Sequence, residues 1–322
     1  MEYPWLSSYL ANLYQSILNK KPSSPLLIEG IAGLGKWSLA RKYGQMLLCP
    51  THSQDEHCVC RACQLMLSDV HPDLLAIEPE DEGKLIGVDS VRSLLNKLSL
   101  SPHCQGSRVV LVRQAEFLTI QAANAFLKFV EEPGANIIIA MTLDLPGKVP
   151  LTLRSRCQKM SIGAPPQDMA LEFLRGKGVT DDAVHCIKLA GGAPIRALSI
   201  FEANSMERRK LFLMDWISCG AGVLPPALVA DRWNGLPIRE LALWIRTWLL
   251  DTIRSTISGE KTAPSLELEV AGRVSDIHGD KLFEFLELIV TMEGQYTRQL
   301  NNQMMLEFYL CKWRDINNFS DI

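Results

Sequence analysis

The sequence predicts an α/β phosphate-loop domain, a parallel sheet with flanking helices, followed by a small all-α domain and a larger all-α domain. Three observations carry this expectation. Over the first 163 residues short apolar runs alternate with helix-period segments, the pattern of a mostly parallel sheet built from strand–helix crossovers. Residues 30–37 read Gly-Ile-Ala-Gly-Leu-Gly-Lys-Trp, after one such run and before a helical segment, which is the context of a phosphate-binding loop of the form G-x-x-x-x-G-K-[ST]. Beyond Pro165-Pro166 no strand pattern returns and only helical periodicity remains.

Taken in order, the expected strands are 26–29, 74–78, 108–112, 136–142 and 158–162. A helix over 38–48 follows the loop. Asp89 is placed to cap a helix whose Val91, Leu94, Leu95 and Leu98 share a face, and Thr119 to cap another using Ala122, Ala123, Phe126, Leu127 and Val130. Glu131-Glu132-Pro133-Gly134 ends that second helix. Pro165-Pro166 marks a hinge, after which residues 167 to about 203 read as short helices. Further on, Pro237 suits a first helical turn, and Leu241, Trp244, Ile245, Trp248 and Leu249 recur at the spacing of a wide apolar face. Leu282, Phe285, Leu286 and Ile289 repeat that spacing, as do Met304, Met305 and Phe308. These stripes are read as helix–helix packing. The expected domains are therefore 1–163, 164–203 and 204–322, in a chain of 322 residues that exceeds one ordinary domain.

Hydrophobic residues make up 47% and charged residues 21%, as in ordinary folded proteins. Lys plus Arg total 33 against 36 Asp plus Glu, a net charge of -3, so the chain lacks the basic excess of a free-standing nucleic-acid binder. The start, Met1-Glu2-Tyr3-Pro4-Trp5, does not resemble a signal peptide, and no run of 18 apolar residues occurs. The expected location is cytoplasmic, with no membrane contact.

The phosphate loop carries chemistry and defects together. Gly30, Gly33 and Gly35 let backbone N–H groups approach phosphate oxygens, and Lys36 can reach the terminal phosphates. Trp37 stands where a Ser or Thr hydroxyl would coordinate magnesium. A working site also needs an acid at the end of a second buried strand, and the strand 108–112 ends in Arg113-Gln114. A guanidinium there repels a cation by about 4 kcal/mol per unit charge pair, at roughly 4 Å and an effective dielectric of about 20, and by about twice that for a divalent ion. The expected pocket is shaped for a triphosphate but has lost its metal anchors and its water-activating carboxylate.

Four of the nine cysteines crowd between residues 49 and 63: Cys49, Cys58, Cys60 and Cys63, in the pattern C-x8-C-x-C-x2-C. Four thiolates at about 2.3 Å form a closed tetrahedral zinc site that stabilises an insertion and does no chemistry. His57, in the spacing His57-x2-Cys60-x2-Cys63, is an alternative ligand to Cys58. Cys104, Cys157, Cys186, Cys219 and Cys311 are scattered and read as small buried or surface residues.

A set of motifs then points to a family. Tyr3-Pro4-Trp5, the loop 30–36, the cysteine cluster before Gln64-Leu65-Met66, His71-Pro72-Asp73, Gly87-Val88-Asp89 with Val91-Arg92, Ala123-Asn124-Ala125 with Leu127-Lys128, Glu131-Glu132-Pro133, and Leu153-Arg154-Ser155-Arg156-Cys157 resemble the delta prime subunits of the bacterial DNA polymerase III clamp loader, members of the AAA+ class. The resemblance spans the N-terminal region by motif and the rest by pattern. It implies an AAA+ domain with a zinc module at 49–63, a helical lid and a helical collar that joins a hetero-pentamer with gamma/tau and delta subunits. It implies a stationary subunit of a DNA-directed DNA polymerase holoenzyme, a nucleotidyltransferase assembly, not catalytic on its own and acting on the sliding clamp and primed DNA through that assembly. Arg156 corresponds to the arginine finger supplied in trans to a neighbour's ATP, and Arg154 can share the role. Relatives that hydrolyse ATP carry an arginine in a Gly-x-x-Arg turn, where this chain has Ile195, with Arg196 one step late. The family spaces its second and third cysteines one residue further apart. Two other readings stay open: a slow ATPase or ATP sensor using Lys36, and a zinc-containing DNA-binding protein.

Overall fold

The computed structural model describes residues 3–19, 24–55, 58–81, 83–99, 107–134, 136–179, 183–202, 205–258, 279–293 and 301–318. Two compact units divide the chain, Met1–Ser199 and Ile200–Ile322.

In the first unit a short 3-10 turn (Pro4–Leu6) leads into α1 (Ser7–Asn19). Then follow β1 (Leu26–Glu29), α2 (Lys36–Leu48), α3 (Arg61–Leu67), β2 (Leu74–Ile77), α4 (Val88–Ser99), β3 (Arg108–Val112), α5 (Ile120–Glu131), β4 (Ile137–Leu143), α6 (Leu151–Arg154) and β5 (Gln158–Ser161). The five strands pair in the order β2-β3-β4-β1-β5, every pair parallel. The expected phosphate-loop architecture, a parallel sheet with flanking helices, is therefore present, and each expected strand lies within one residue of its observed bounds. The reason is physical: a parallel strand covered on both faces reads as a continuous apolar run, and β3 is buried along its whole length.

One face of the sheet offers Leu27, Val110, Val112, Ile139 and Met141 to Val91 and Leu94 of α4 and Phe126 of α5. Thr119 caps α5 as expected, its hydroxyl accepting from the Ala122 amide at 3.1 Å. Asp89 does not cap α4, a correction: the helix begins one residue earlier, at Val88, and Asp89 lies in its first turn, where its charge favours the helix N-terminus and meets Arg92 at 3.4 Å. The register aligns Glu29 with Leu143 and Val112 with Met141. The residues after β1, β3 and β4 thus emerge side by side at the carboxyl edge, where open α/β sheets form their ligand crevice.

Three helices without strands follow, α7 (Gln167–Gly176), α8 (Ala183–Leu189) and α9 (Pro194–Glu202). The second unit holds α10 (Ser205–Gly220), α11 (Pro226–Trp233), α12 (Ile238–Ser258), α13 (Gly279–Glu293) and α14 (Asn302–Asn318). Pro237 stands just before α12, its carbonyl accepting from the Leu241 amide, and Leu241, Trp244, Ile245, Trp248 and Leu249 are buried as the spacing predicts. The stripe on α14 is corrected: Met304 and Phe308 are exposed, and the buried face is Met305, Leu306, Tyr309, Leu310 and Trp313. Trp313 decides that orientation, because it stacks on Trp216 at 5.5 Å between ring centres and meets Trp248 edge-on. Among the described residues no helix is long and apolar enough to cross a membrane. Cys104 and the expected boundary at residue 203 lie outside the described residues.

Trp313 also explains Gly220. A Cβ at residue 220 would collide with the indole nitrogen of Trp313 and lie 3.0 Å from Asn317 Nδ2. Gly220→Ala is therefore expected to destabilise by about 1–3 kcal/mol through overpacking, despite alanine's better helix propensity. A lowered urea midpoint checks this, and an unchanged or raised midpoint contradicts it.

Candidate functional site

The phosphate loop turns off the end of β1 with Gly33 and Gly35 at φ of 84° and 83°, a left-handed conformation that a Cβ disfavours. Lys36 opens α2 directly behind it and is only 4% exposed. Its ammonium donates to Gly30 O at 2.7 Å and Ile31 O at 2.5 Å, and pairs with Asp144 Oδ1 at 2.6 Å. An ammonium has three donors, so the loop lysine is fully engaged by its own chain.

Asp144 follows β4 and is itself held in place. Its Oδ2 accepts from Gln114 Nε2 at 3.2 Å, and its backbone N–H donates to Glu116 Oε1 at 2.9 Å. The Gln114 amide donates to Thr142 Oγ1 at 3.0 Å, fixing the turn after β3 against β4. Glu116 is buried, and among the described residues its Oε2 has no hydrogen-bond partner. Burial pushes the Glu116 carboxyl above its ordinary range, and the Asp144 charge adds to the shift while Lys36 opposes it. The sequence places Arg113 and Gln114 directly after β3 and does not by itself bring any carboxylate to the loop. No acid stands at the end of β3, but one arrives from β4. The sign was in the sequence, since Asp144 terminates the apolar run 137–143.

Trp37 and Arg113, at the two positions where the sequence pattern expects metal anchors, meet each other. The Arg113 guanidinium lies over the Trp37 ring, 5.9 Å from its centre, and pairs with Glu78 Oε2 at 2.9 Å. Above the loop, the Ile195 amide donates to Gly33 O at 3.2 Å. A Cβ on Gly33 would stand 2.5 Å from Arg196 Cβ and 2.7 Å from Arg196 N, and one on Gly35 would stand 3.0 Å from both Leu6 Cδ1 and Tyr3 Cδ2. Trp5 Nε1 donates to Leu34 O at 2.9 Å. Gly33 and Gly35 are thereby committed to close packing under the start of α9 and the N-terminal turn.

Arg154 and Arg156 face different surroundings. Arg154 is mostly buried and pairs with Glu29 at 3.4 Å at the end of β1, where Glu29 also accepts from Ser161 Oγ at 2.8 Å. Arg156, 40% exposed, pairs with Glu131 and donates to Thr152 O at 2.7 Å. Of the two arginines, Arg156 is the one that presents its charge at the surface.

The cysteine cluster assembles from the end of α2 and the start of α3. Cys49 closes α2, and Cys60 caps α3, its sulfur accepting from the Cys63 amide at 3.4 Å. The four sulfurs of Cys49, Cys58, Cys60 and Cys63 lie within 4.8 Å of one another, with Cys49 3.9 Å from Cys58 and 3.8 Å from Cys60. A tetrahedral zinc with bonds of about 2.3 Å separates its sulfurs by about 3.8 Å, so the four residues fit such an ion. Burial opposes ionisation of Cys49, but hydrogen bonds from Thr51, Ser53 and Cys60 outweigh it and bring the thiol down to about 6. Burial pushes Cys63 up to about 12. Gln45 Nε2 donates to Cys63 Sγ at 3.2 Å, a partner outside the sulfur set that orients it. The alternative ligand, His57, lies outside the described residues.

Glu116 gives a pH-dependent prediction. A carboxyl whose folded pKa is raised contributes stability that is complete below its unfolded value and is lost as the pH rises through the folded value. Glu116→Gln, which keeps the acceptor for the Asp144 amide, is therefore expected to gain stability relative to the native chain between pH 4.5 and pH 8. Urea melts at the two pH values check this, and a difference that is flat or shrinks with rising pH contradicts it.

A family model described as "DNA polymerase III, delta subunit" matches residues 6–166, half of the chain. The chain is 27% identical to the DNA polymerase III subunit delta prime of Pseudomonas aeruginosa, over 98% of each. It is 31% identical to that of Escherichia coli K12, over 85% of this chain and 84% of the relative. Among solved structures, a DNA polymerase III gamma subunit-related protein of Thermotoga maritima is 22% identical with a TM-score of 0.46, covering 96% of this chain and 99% of that one. With half of its length inside the family model and 31% identity to the Escherichia coli delta prime subunit over 85% of its residues, the chain belongs to the DNA polymerase III delta prime subunit family.

Proposed function

We propose that this chain is a non-hydrolysing stator of the DNA polymerase III clamp loader, assembling with gamma/tau and delta subunits and helping to load the sliding clamp onto primed DNA. The observation that carries the non-hydrolysing reading is Lys36: with its three donors on Gly30 O, Ile31 O and Asp144, a triphosphate must first displace an internal carboxylate. The three-part division into an AAA+ domain (1–163), a lid (164–203) and a collar (204–322) belongs to this proposal.

Within it, Arg156 is the arginine finger that meets the neighbouring subunit's ATP. Its surface exposure supports this, and the burial of Arg154 against Glu29 argues that Arg154 instead braces the segment. A fixed guanidinium at the developing charge is worth about 10³- to 10⁵-fold in related phosphoryl transfers. The four cysteines are a structural zinc site: the ion would tie the end of α2 to the start of α3 and supply folding energy to an insertion with little core of its own.

A second reading, a slow ATPase that uses Lys36, draws support from Asp144, a carboxylate beside the loop that can hold a cation once Lys36 lets go of it. Turnover by the purified chain that disappears in Lys36→Ala favours this reading; background turnover in both favours the stator.

Arg156→Ala is expected to fold normally and to lower the clamp- and DNA-stimulated ATPase of the reconstituted assembly at least about tenfold, a conservative fraction of the finger's usual effect. Unchanged stimulated turnover contradicts the finger assignment. Elemental analysis is expected to find about one zinc per chain, and a chelator to open residues 49–63 to proteolysis. A metal-free chain with that segment resistant to cleavage contradicts the zinc assignment.

A further inference from the structure

Arg156 is not poised freely at the surface. Its Nε is paired with Glu131, the last residue of α5, while its Nη1 donates to Thr152 O. A carboxylate at a helix C-terminus opposes the helix dipole, so the favourable partner of Glu131 is the guanidinium and not its own helix. Both side chains keep about two-fifths of their surface, 40% and 44%, so the pair can separate without opening the core. The Arg154–Glu29 pair differs: at 21% and 16% exposure, with Ser161 also on Glu29, it is built into the end of β1.

We propose that Glu131 is a positioning residue that competes with nucleotide for Arg156. Its carboxylate holds the guanidinium while the neighbouring site is empty, and the terminal phosphate of a nucleoside triphosphate replaces it when that site fills. The inference rests on the arginine-finger reading above. Carboxylate and phosphate offer a guanidinium the same fork of paired oxygens, and the phosphate brings more charge. Only ion pairs are exchanged in this step. Glu131 therefore acts as an internal competitive ligand: it raises the nucleotide concentration needed to engage Arg156 and leaves the saturated rate alone, because saturating nucleotide has already displaced it.

The test uses the reconstituted assembly, measuring ATP hydrolysis with clamp and primed DNA present, for the native chain, Glu131→Gln, Arg156→Ala and the double variant. Glu131→Gln is expected to lower KM for ATP by about 1.4- to 5-fold, the range that 0.2–1 kcal/mol for an exposed pair implies, with kcat unchanged. In the Arg156→Ala background the same substitution is expected to do nothing. A Glu131→Gln assembly with native KM, alongside a slowed Arg156→Ala assembly, overturns the competitor role and leaves the finger intact. A Glu131 effect that persists without Arg156 also overturns it, since the carboxylate then acts through another group. Native rates in Arg156→Ala overturn the finger reading and this inference with it.

Discussion

The ammonium of Lys36 is the constraint around which the first unit is arranged. It is almost wholly buried, and a buried charge is tolerated only when paired and hydrogen-bonded. Gly30 O, Ile31 O and Asp144 provide that pairing, and each needs a particular backbone course. The two carbonyls require the loop to curl back over the start of α2. Asp144 requires β4 to lie beside β1 in the observed register, with Gln114 and Glu116 from the turn after β3 holding its carboxylate and amide. Lys36, Asp144 and Glu116 thus join the ends of three adjacent strands into one polar cluster.

A phosphate loop normally keeps its glycines so that a ligand can approach the backbone. Here the close approach at Gly33 and Gly35 is made by the chain itself, by Arg196 and Ile195 at the start of α9 and by Tyr3 and Leu6 near the N-terminus. The replaced metal anchors are coherent with this, because Trp37 and Arg113 contact each other where the hydroxyl and acid of a hydrolysing site would stand. Under the stator reading, the geometry of a nucleotide site persists as a packing solution, and the chemistry is exported through an arginine at the surface.

Much of the fold was legible in the sequence. β3 and β4 are buried and, Arg108 and Thr142 apart, apolar because both sheet faces are covered, and that one fact gives type and bounds together. Thr119 was legible as a cap because hydroxyl and amide are local. What could not be read depends on partners distant in sequence. Asp144 lies 108 positions from Lys36, and only the strand order makes them neighbours. The buried face of α14 is not decided locally, because two helical stripes one residue apart are both apolar there, and the stacking of Trp313 on Trp216 selects between them. The cysteine cluster was found by spacing alone, whereas the internal pairing of Arg156 with Glu131 has no local signature.

Lys36 is bound to Asp144 and not reserved for phosphate, and a double-mutant cycle on stability tests this most directly. Lys36→Met and Asp144→Asn are each expected to cost stability by leaving a buried partner unmatched, about 3–5 kcal/mol for a fully buried pair and less where Asp144 is partly exposed. The double variant is expected to cost less than the sum, with a coupling of about 1–3 kcal/mol. Strictly additive losses, or a Lys36→Met chain as stable as the native one, would contradict the account.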